Sequence, residues 1–280
     1  MNVFKNGLYI VSTPIGNLED VSLRAINIFK AADVIICENP KHSLKLLNNL
    51  GIKKKLLSLH DYNEEKIIKN VQKHYHNSLI VLISDAGSPL ISDPGYNLVQ
   101  YFINNNIYVT SIPGASSLIT GLQLSGLPLN NFIFWGFVPK NTKLFKNLIK
   151  NIADSSLTSV LYISGIKLKK FLEALESSLI DRQIAICKEL TKINETIYRG
   201  EVKKIINLIE KEKINLKGEF TVVIGGVKKN QTRTVDNEII YKTSKLLKKY
   251  TLTETVEIVH KLTNISKKEI YKMALKIQND

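Results

Sequence analysis

The sequence predicts an α/β protein: two α/β domains with a cleft between them, followed by a small C-terminal helical unit. Three observations carry this. Short apolar, β-branched runs alternate with segments of helical period through residue 226, the pattern of strands and crossover helices packed in layers. Residues 84–95, Ser-Asp-Ala-Gly-Ser-Pro-Leu-Ile-Ser-Asp-Pro-Gly, place two carboxylates, two glycines and two prolines directly after one such run, Leu79–Ile83. From Lys228 onward the strand-like runs stop, and 12 basic residues stand against 6 acidic ones.

Taken in order, strands are expected at 7–12, 33–37, 55–59, 79–84, 107–111 and 132–135, then at 157–163, 183–188, 194–199 and 219–225. Helices are expected between most of them, at 20–31, 42–50, 64–74, 95–105, 115–124, 143–152, 167–178 and 201–212. Such alternation predicts largely parallel sheets with helices on both faces. The expected organisation is an N-terminal α/β domain (1–118), a C-terminal α/β domain (119–228) and a basic helical unit (229–280). Gly136-Phe137-Val138-Pro139-Lys140-Asn141-Thr142 reads as a loop between the two halves.

In the tail, Thr251–Glu254 and Ser266–Glu269 each match the S/T-x-x-E capping box. The first starts a helix with Leu252, Val256, Val259 and Leu262 on one side. The second starts one with Ile270, Met273, Ala274 and Ile277 inward. With a helix near 238–249, this makes a three-helix unit of helix-turn-helix type. Its basic character points to nucleic-acid contact; a surface appendage docked on the core is the plainer reading.

Composition narrows the class. No apolar run approaches the roughly 20 residues of a membrane span, and the mean hydropathy is −0.03. The N-terminus leads into a strand rather than a signal peptide's apolar core. Cys37 and Cys187 each end an apolar run and lack any CxxC spacing, as expected of reduced core thiols in a cytoplasmic protein with no metal site. The net charge is +14, and lysine supplies 35 of the 39 basic residues. Compositional drift explains lysine in place of arginine but not the surplus, so a polyanionic partner is expected.

Candidate chemistry sits on loops at the carboxyl ends of strands, where open α/β sheets bind ligands. In the 84–95 loop, Gly87 and Gly95 let backbone approach a ligand while Pro89 and Pro94 stiffen the segment. The first strand runs into Ser12-Thr13-Pro14-Ile15-Gly16-Asn17-Leu18, which lacks both G-x-G-x-x-G and G-x-x-x-x-G-K-[ST]; no dinucleotide or NTP site is supported. Glu38-Asn39-Pro40-Lys41-His42 offers a carboxylate, an ammonium and an imidazole for acid–base work or a ribose-phosphate contact. The same residues also read as a capped helix start, with Asn39 as N-cap and Pro40 at the first position. In Leu59–Glu64, Asp61 or Asn63 is placed to cap the next helix. Ser111–Ser117 opens a helix whose free N–H groups face a ligand. Lys188–Thr196 links two strands as a polar turn or a cleft wall, and Lys217–Phe220 is a turn or a cleft edge. No Ser–His–Asp set, HExxH or paired-carboxylate spacing stands out, so these residues alone name no reaction.

Leu8–Leu18 (LYIVSTPIGNL), Leu59–Glu64 (LHDYNE), Ser84–Tyr96 (SDAGSPLISDPGY), Ile112–Ser117 (IPGASS), Glu189–Thr196 (ELTKINET), Lys217–Phe220 (KGEF) and Ile270–Leu275, in this order, resemble the ribosomal RNA small-subunit methyltransferase I family of the tetrapyrrole-methylase superfamily. The resemblance covers essentially the whole chain. It implies an enzyme that uses S-adenosyl-L-methionine to methylate a ribose 2′-hydroxyl of a decoding-centre cytidine in 16S rRNA of the 30S subunit, acting as a homodimer. By motif position, Asp85, Ala86, Gly87, Ser88, Pro89, Ala115, Ser116, Ser117 and Leu190 would hold the methyl donor. Pro14, Asn17, Lys41, His42, Asp61, Asp93 and Lys167 would face the RNA, and Glu38 and Lys192 are the candidates for deprotonating the hydroxyl.

Two segments depart from the family pattern. Glu38–His42 stands where the family reads E-D-T-R-H, and Tyr162-Ile163-Ser164-Gly165-Ile166-Lys167-Leu168 where it reads Y-E-S-[PT]-H-R-L. Together they lose two carboxylates, a histidine and two arginines. Lysine does not reproduce arginine's bidentate grip on phosphate, so the acceptor side is expected to differ from the family's while the donor loop is intact. Two other readings remain: a methylase of tetrapyrroles, disfavoured by the Thr13–Asn17 loop and the basic tail, and a non-catalytic RNA-binding or ribosome-assembly factor on the same fold.

Overall fold

The computed structural model describes residues 4–177, 182–227, 237–263 and 265–279. Contacts divide the chain into two compact units, Met1–Val227 and Lys228–Asp280.

The first unit begins with a five-stranded sheet made of β1 (Gly7–Val11), β2 (Val34–Cys37), β3 (Leu56–Ser58), β4 (Leu79–Ile83) and β5 (Val109–Ile112). The strand order is β3-β2-β4-β1-β5, with every pair parallel. Between the strands run α1 (Leu23–Ala31), α2 (Pro40–Asn49), α3 (Glu64–His74) and α4 (Tyr96–Asn104). Because strand side chains alternate in direction, β2 sends Ile35 and Cys37 into one apolar cluster with Ile28 and Phe29. It sends Val34 and Ile36 into another with Leu98 and Phe102. Both faces are thus buried, which is why these strands read as continuous apolar runs.

Local signals set the helix starts. The Ser22 hydroxyl accepts from the Ala25 N–H ahead of α1. Asn39 caps α2 through its side chain, with Pro40 at the first position. Asn63 precedes α3, but its side chain turns back, accepting from His60 N–H and donating to the Ser58 carbonyl.

The chain passes to a second sheet through α5 (Ser117–Ser125), which follows β5 but packs on the second sheet's strands. That sheet holds β6 (Phe132–Phe137), β7 (Thr158–Ser164), β8 (Gln183–Lys188), β9 (Thr196–Glu201) and β10 (Glu219–Ile224), in the order β6-β7-β10-β8-β9. Its helices are α6 (Thr142–Asp154), α7 (Gly165–Glu176) and α8 (Val202–Glu210). Their apolar faces, including Ile152, Phe171 and Ile205, bury one side of the sheet. Leu118 and Leu122 of α5 cover Val160, Ala185 and Val223 on the other.

Two expectations are corrected here. The second sheet is mostly antiparallel: only β6 and β7 run parallel, while β7–β10, β10–β8 and β8–β9 are antiparallel. The segment 189–195 is too short for the crossover that a parallel pair needs, so β8 and β9 form a hairpin, and β10 inserts against the direction of both neighbours. The segment 136–142 is not a loop between halves. Gly136 and Phe137 belong to β6, where Gly136 takes a φ of +69° beside the register shift between Phe134 and Phe137. A glycine kink on an edge strand has the composition of a loop.

The second unit contains α9 (Asn237–Leu247), α10 (Leu252–Thr263) and α11 (Lys267–Asn279). Val256, Val259, Ile265, Ile270 and Met273 form its core, with Ile277 packed against it. The Thr251–Glu254 capping box is formed in both directions; at the second, the Glu269 N–H donates to Ser266 Oγ and the Ser266 hydroxyl, rather than its N–H, donates to the Glu269 carboxylate. Leu262 is the exception to the expected inward stripe, at 74% exposure. At 100° per residue it is rotated by roughly 80° from the Leu252–Val256–Val259 line, and it lies in the last turn of α10.

Candidate active site

Four strand-end loops of the first sheet meet at one edge, and hydrogen bonds lace three of them together. Thr13 and Gly87 form a two-way backbone bridge, N–H to O at 2.9 and 3.0 Å. The Thr13 hydroxyl donates to the Ser84 carbonyl at 3.2 Å, and the Ser84 hydroxyl to the Gly87 carbonyl at 3.0 Å. Ser88 Oγ lies 3.0 Å from Ser12 Oγ and donates to the Ala115 carbonyl at 3.4 Å. The fourth loop is tied in by the Asn39 N–H, which donates to Asp85 Oδ1 at 3.2 Å.

The β8–β9 turn supplies the opposite wall. Glu189 and Thr191 hold φ values of +52° and +64°, and Thr191 N–H donates to Glu195 Oε2 at 2.7 Å. Lys192 Nζ pairs with Glu189 Oε2 at 3.1 Å. The two sides come close at Gly16: a Cβ there would sit 2.5 Å from Lys192 Cγ and 2.9 Å from the Leu190 carbonyl oxygen. A third wall is the start of α5, where the Ser117 hydroxyl donates to Tyr162 Oη at 2.9 Å.

Between these walls lies a cavity of about 470 Å³, within the range that encloses a cofactor-sized ligand. Of the residues expected at a donor site, Ala86, Gly87, Ser88, Ser116, Ser117 and Leu190 line it, and so do Asp93 and Lys192. Asp85 turns instead into a smaller neighbouring pocket of about 190 Å³, which it shares with Pro14 and His42. Pro89 is buried beneath the loop, and Ala115 contributes the carbonyl that Ser88 bonds.

The remaining candidates line neither pocket. Glu38, Lys41 and Asp61 are exposed. Asn17 caps the short 3₁₀ turn Leu18–Asp20, and Lys167 Nζ donates to the Val138 carbonyl at 3.4 Å. The cavity also uses residues that strand periodicity does not single out: Ile15, Phe137, Tyr162, Glu189 and Thr221. Gly218, Glu219 and Phe220 line it as well, so Lys217–Phe220 is a cleft edge rather than a plain turn.

The electrostatics are concentrated on the acidic side. Burial first, then the charges of Glu38 and Asp85, push Asp93 up to about 6. Partial desolvation, then Asp85 and Asp61, raise Glu38. Burial also raises the Tyr162 phenol and pushes the Cys187 thiol up to about 12, leaving Cys187 a neutral wall atom at physiological pH. Among the described residues no group of three or more His, Cys, Asp or Glu is placed to hold a metal ion.

The Asp93 shift has a stability consequence. A raised pKa means the native state favours the protonated acid, so the fold loses stability as pH rises from the ordinary carboxyl value near 4 through about 6. Asp93→Asn is therefore expected to stabilise the protein at pH 7.5 by about 1 kcal/mol, the full linkage value having been reduced because the group is only half-buried. It is expected to change little at pH 4. Urea unfolding at the two pH values checks this, and equal effects at both would contradict it.

Residues 7–206 match the family of tetrapyrrole (corrin/porphyrin) methylases. The chain is 34% identical over 280 residues to ribosomal RNA small subunit methyltransferase I of Pasteurella multocida, covering 98% of this chain and 99% of that protein. To the protein of the same description from Rickettsia prowazekii it is 38% identical over 281 residues, covering 98% of each. Among solved structures, uroporphyrin-III-C-methyltransferase from Thermus thermophilus superposes with a TM-score of 0.55 at 20% identity, over 78% of this chain and 93% of that one. Diphthine synthase does so with a TM-score of 0.60 at 14% identity, over 78% and 89%. These two likenesses speak to the fold.

Proposed function

Because this chain belongs to the ribosomal RNA small subunit methyltransferase I family of tetrapyrrole methylases, we propose that it transfers a methyl group from S-adenosyl-L-methionine to the ribose 2′-hydroxyl of a cytidine in the decoding centre of 16S rRNA. The observation that carries the reading is the meeting of the 84–95 loop, the start of α5 and the β8–β9 turn around one cavity.

The wall chemistry fits the donor. Ile15, Leu190 and Phe137 offer apolar surface for a nucleoside and the carbon chain, while Ser88, Ser116 and Ser117 offer hydroxyls. At the start of α5 the side chain of Ser116 makes no capping bond; the Leu118 N–H is engaged by the Tyr162 oxygen, and the positive end of the helix favours a carboxylate beside it. When bound, S-adenosyl-L-methionine supplies an electrophilic methyl group on a positively charged sulfur. The residues proposed to hold it are Ala86–Ser88, Ser116, Ser117 and Leu190, with Asp85 and Ala115 supporting them from behind through Asn39 and Ser88. Fixing both reactants within a laced rim of loops serves the in-line approach that methyl transfer requires.

The acceptor side of the reading rests on charge. The net +14 favours a polyanion such as the 30S subunit, with Pro14, Asn17, Lys41, His42, Asp61 and Lys167 placed toward the RNA and the basic unit 228–280 adding to its grip. The chain would act in the cytoplasm as a homodimer, and sedimentation would then report twice its 31.6 kDa mass. Among the described residues no helix is long and apolar enough to cross a membrane.

The test is to incubate the protein with labelled methyl donor and unmethylated 30S subunits and to map the product. Label at a cytidine ribose in the decoding centre is expected. Label in uroporphyrinogen instead would make the protein a tetrapyrrole methylase. Tight 30S binding and donor binding without transfer would make it an assembly factor.

A further inference from the structure

A ribose hydroxyl that attacks a sulfonium methyl forms one O–C bond and breaks one C–S bond, the electron pair leaving with sulfur. The hydroxyl proton must pass to a base, because a ribose hydroxyl is a poor nucleophile while it keeps that proton. Asp93, Glu189, Lys192 and Glu219 are the carboxylates and amine on the cavity wall. Glu189 and Lys192 engage each other at 3.1 Å. Glu219 is solvent-exposed at the first position of β10, where water competes for any proton. Glu38 lies off the wall and is exposed. Asp93 is half-buried, faces the cavity, and among the described residues makes no hydrogen bond or ion pair.

Asp93 also shares its loop with Ala86, Gly87 and Ser88, and that loop is pinned to the loop after β1 by the Thr13–Gly87 bridge. A base and the proposed donor contacts are thus carried on one braced segment. We infer, building on the methyl-transfer reading above, that Asp93 accepts the proton of the ribose 2′-hydroxyl as the methyl group moves. The balance closes: a carboxylate, a ribose hydroxyl and a sulfonium go in, and a carboxylic acid, a neutral ribose methyl ether and a thioether come out.

The surroundings suit the role. Burial, then Glu38 and Asp85, hold the carboxyl at about 6, so at pH 7.5 it is ionised yet a better proton acceptor than an ordinary aspartate. Facing it across the cavity are the Tyr162 phenol from β7, the paired Glu189 and Lys192 from the β8–β9 turn, and Glu219 from β10. Glu38 and Asp85 then act as positioning residues that tune the base through their charges.

The experiment compares the full-length protein with Asp93→Asn and Asp93→Glu on unmethylated 30S subunits, in single-turnover methylation across pH 5 to 8.5. Turnover of Asp93→Asn is expected to fall by at least ~100-fold, while calorimetric affinity for S-adenosyl-L-methionine stays within about threefold. The unsubstituted protein is expected to show an acid limb with its midpoint near 6, absent from the residual rate of Asp93→Asn, and Asp93→Glu should recover part of the rate. Independently of activity, a carboxyl-carbon NMR titration of the ligand-free protein, with Asp93 identified by its absence in the Asn variant, should give a midpoint near 6.

Undiminished turnover of Asp93→Asn overturns the inference. So does a titration midpoint near the ordinary ~4, and so does a loss of rate wholly explained by lost donor binding. If the unsubstituted protein itself transfers no methyl to 30S ribose, it is the proposed function that fails, a result distinct from all of these.

Discussion

A Gly121→Val variant is expected to lose about 2–3 kcal/mol of stability and at least about tenfold in donor affinity, corresponding to 1.4 kcal/mol or more. Gly121 lies in α5 at its contact with β10, where a Cβ would stand 2.6 Å from Thr221 Cγ2 and 3.9 Å from Cys187 Sγ. Thr221 is buried, at 4% exposure, and its β-branched side chain has little rotamer freedom to retreat. Two effects oppose each other. Replacing glycine inside a helix by alanine gains up to about 1 kcal/mol of helix propensity, whereas overpacking costs about 1–3 kcal/mol. Alanine should therefore be mildly destabilising, while valine adds two methyls and surrenders most of the propensity gain.

The functional part follows from where α5 begins. Ser116 and Ser117 are on the cavity wall, so a helix lifted from β10 carries them out of place. Urea unfolding and donor calorimetry check the two parts separately. Restoration of stability in the Gly121→Ala, Thr221→Ser double variant, which removes the opposing methyl, would identify the clash as the cause. A Gly121→Val protein as stable as the unsubstituted one would refute the packing account.

The second large effect is expected at Arg182, where methionine should cost about 3 kcal/mol. This side chain is buried at 9% exposure. Its Nη1 donates to the carbonyls of Ile152 at 2.8 Å and Gly225 at 3.2 Å, and its Nη2 donates to the Ala153 carbonyl. Ile152 and Ala153 are in the last turn of α6, where the helix end favours a cation; the Ile152 carbonyl also accepts from the Ser155 N–H at 3.3 Å. Gly225 directly follows β10, so one guanidinium joins a helix end to a sheet end.

Burial lowers the Arg182 pKa against the opposing effect of Asp154, the mark of a cation held at a desolvation cost. Replacing a buried ion pair by apolar groups is often harmless because both charges leave together. Here the acceptors are backbone carbonyls that remain behind in buried surroundings. Lysine keeps the charge but not the planar fork, so Arg182→Lys should fall between, at about 1–2 kcal/mol. Urea midpoints of the three proteins test the order, and a methionine variant equal to the unsubstituted protein would refute it.

Much of the scaffold was legible along the chain. The ten strand-like runs and the helices between them stand close to where expected, because burial on both faces writes β1, β2 and β4 as uninterrupted apolar stretches. Asn39 with Pro40, and Thr251 with Glu254, are caps that require only residues one to three positions apart. Strand direction in the second sheet was not legible, because β10 finds its place between β7 and β8 through partners distant in sequence. Gly136 misled for a related reason: a bulge on an edge strand and a loop have the same composition.

The cavity walls made of strand-end loops were legible and the walls made of strand residues were not. Ala86–Ser88, Ser116 and Leu190 lie in segments whose glycines, prolines and hydroxyls mark them as strand-end loops, and they meet at one cavity. Phe137, Tyr162 and Thr221 sit within strands, where alternation assigns them to a face but not to the face that meets the other sheet. The local chemistry of the sequence, by itself, determined which segments would be strands, helices and strand-end loops, since periodicity and capping act over a few residues. Which loops converge, which carboxylate is left unpaired, and that Asp93 rather than Asp85 or Glu38 faces the cavity were decided only in the tertiary structure. Those properties depend on distances between residues far apart in the chain, and burial and charge act through space rather than along it.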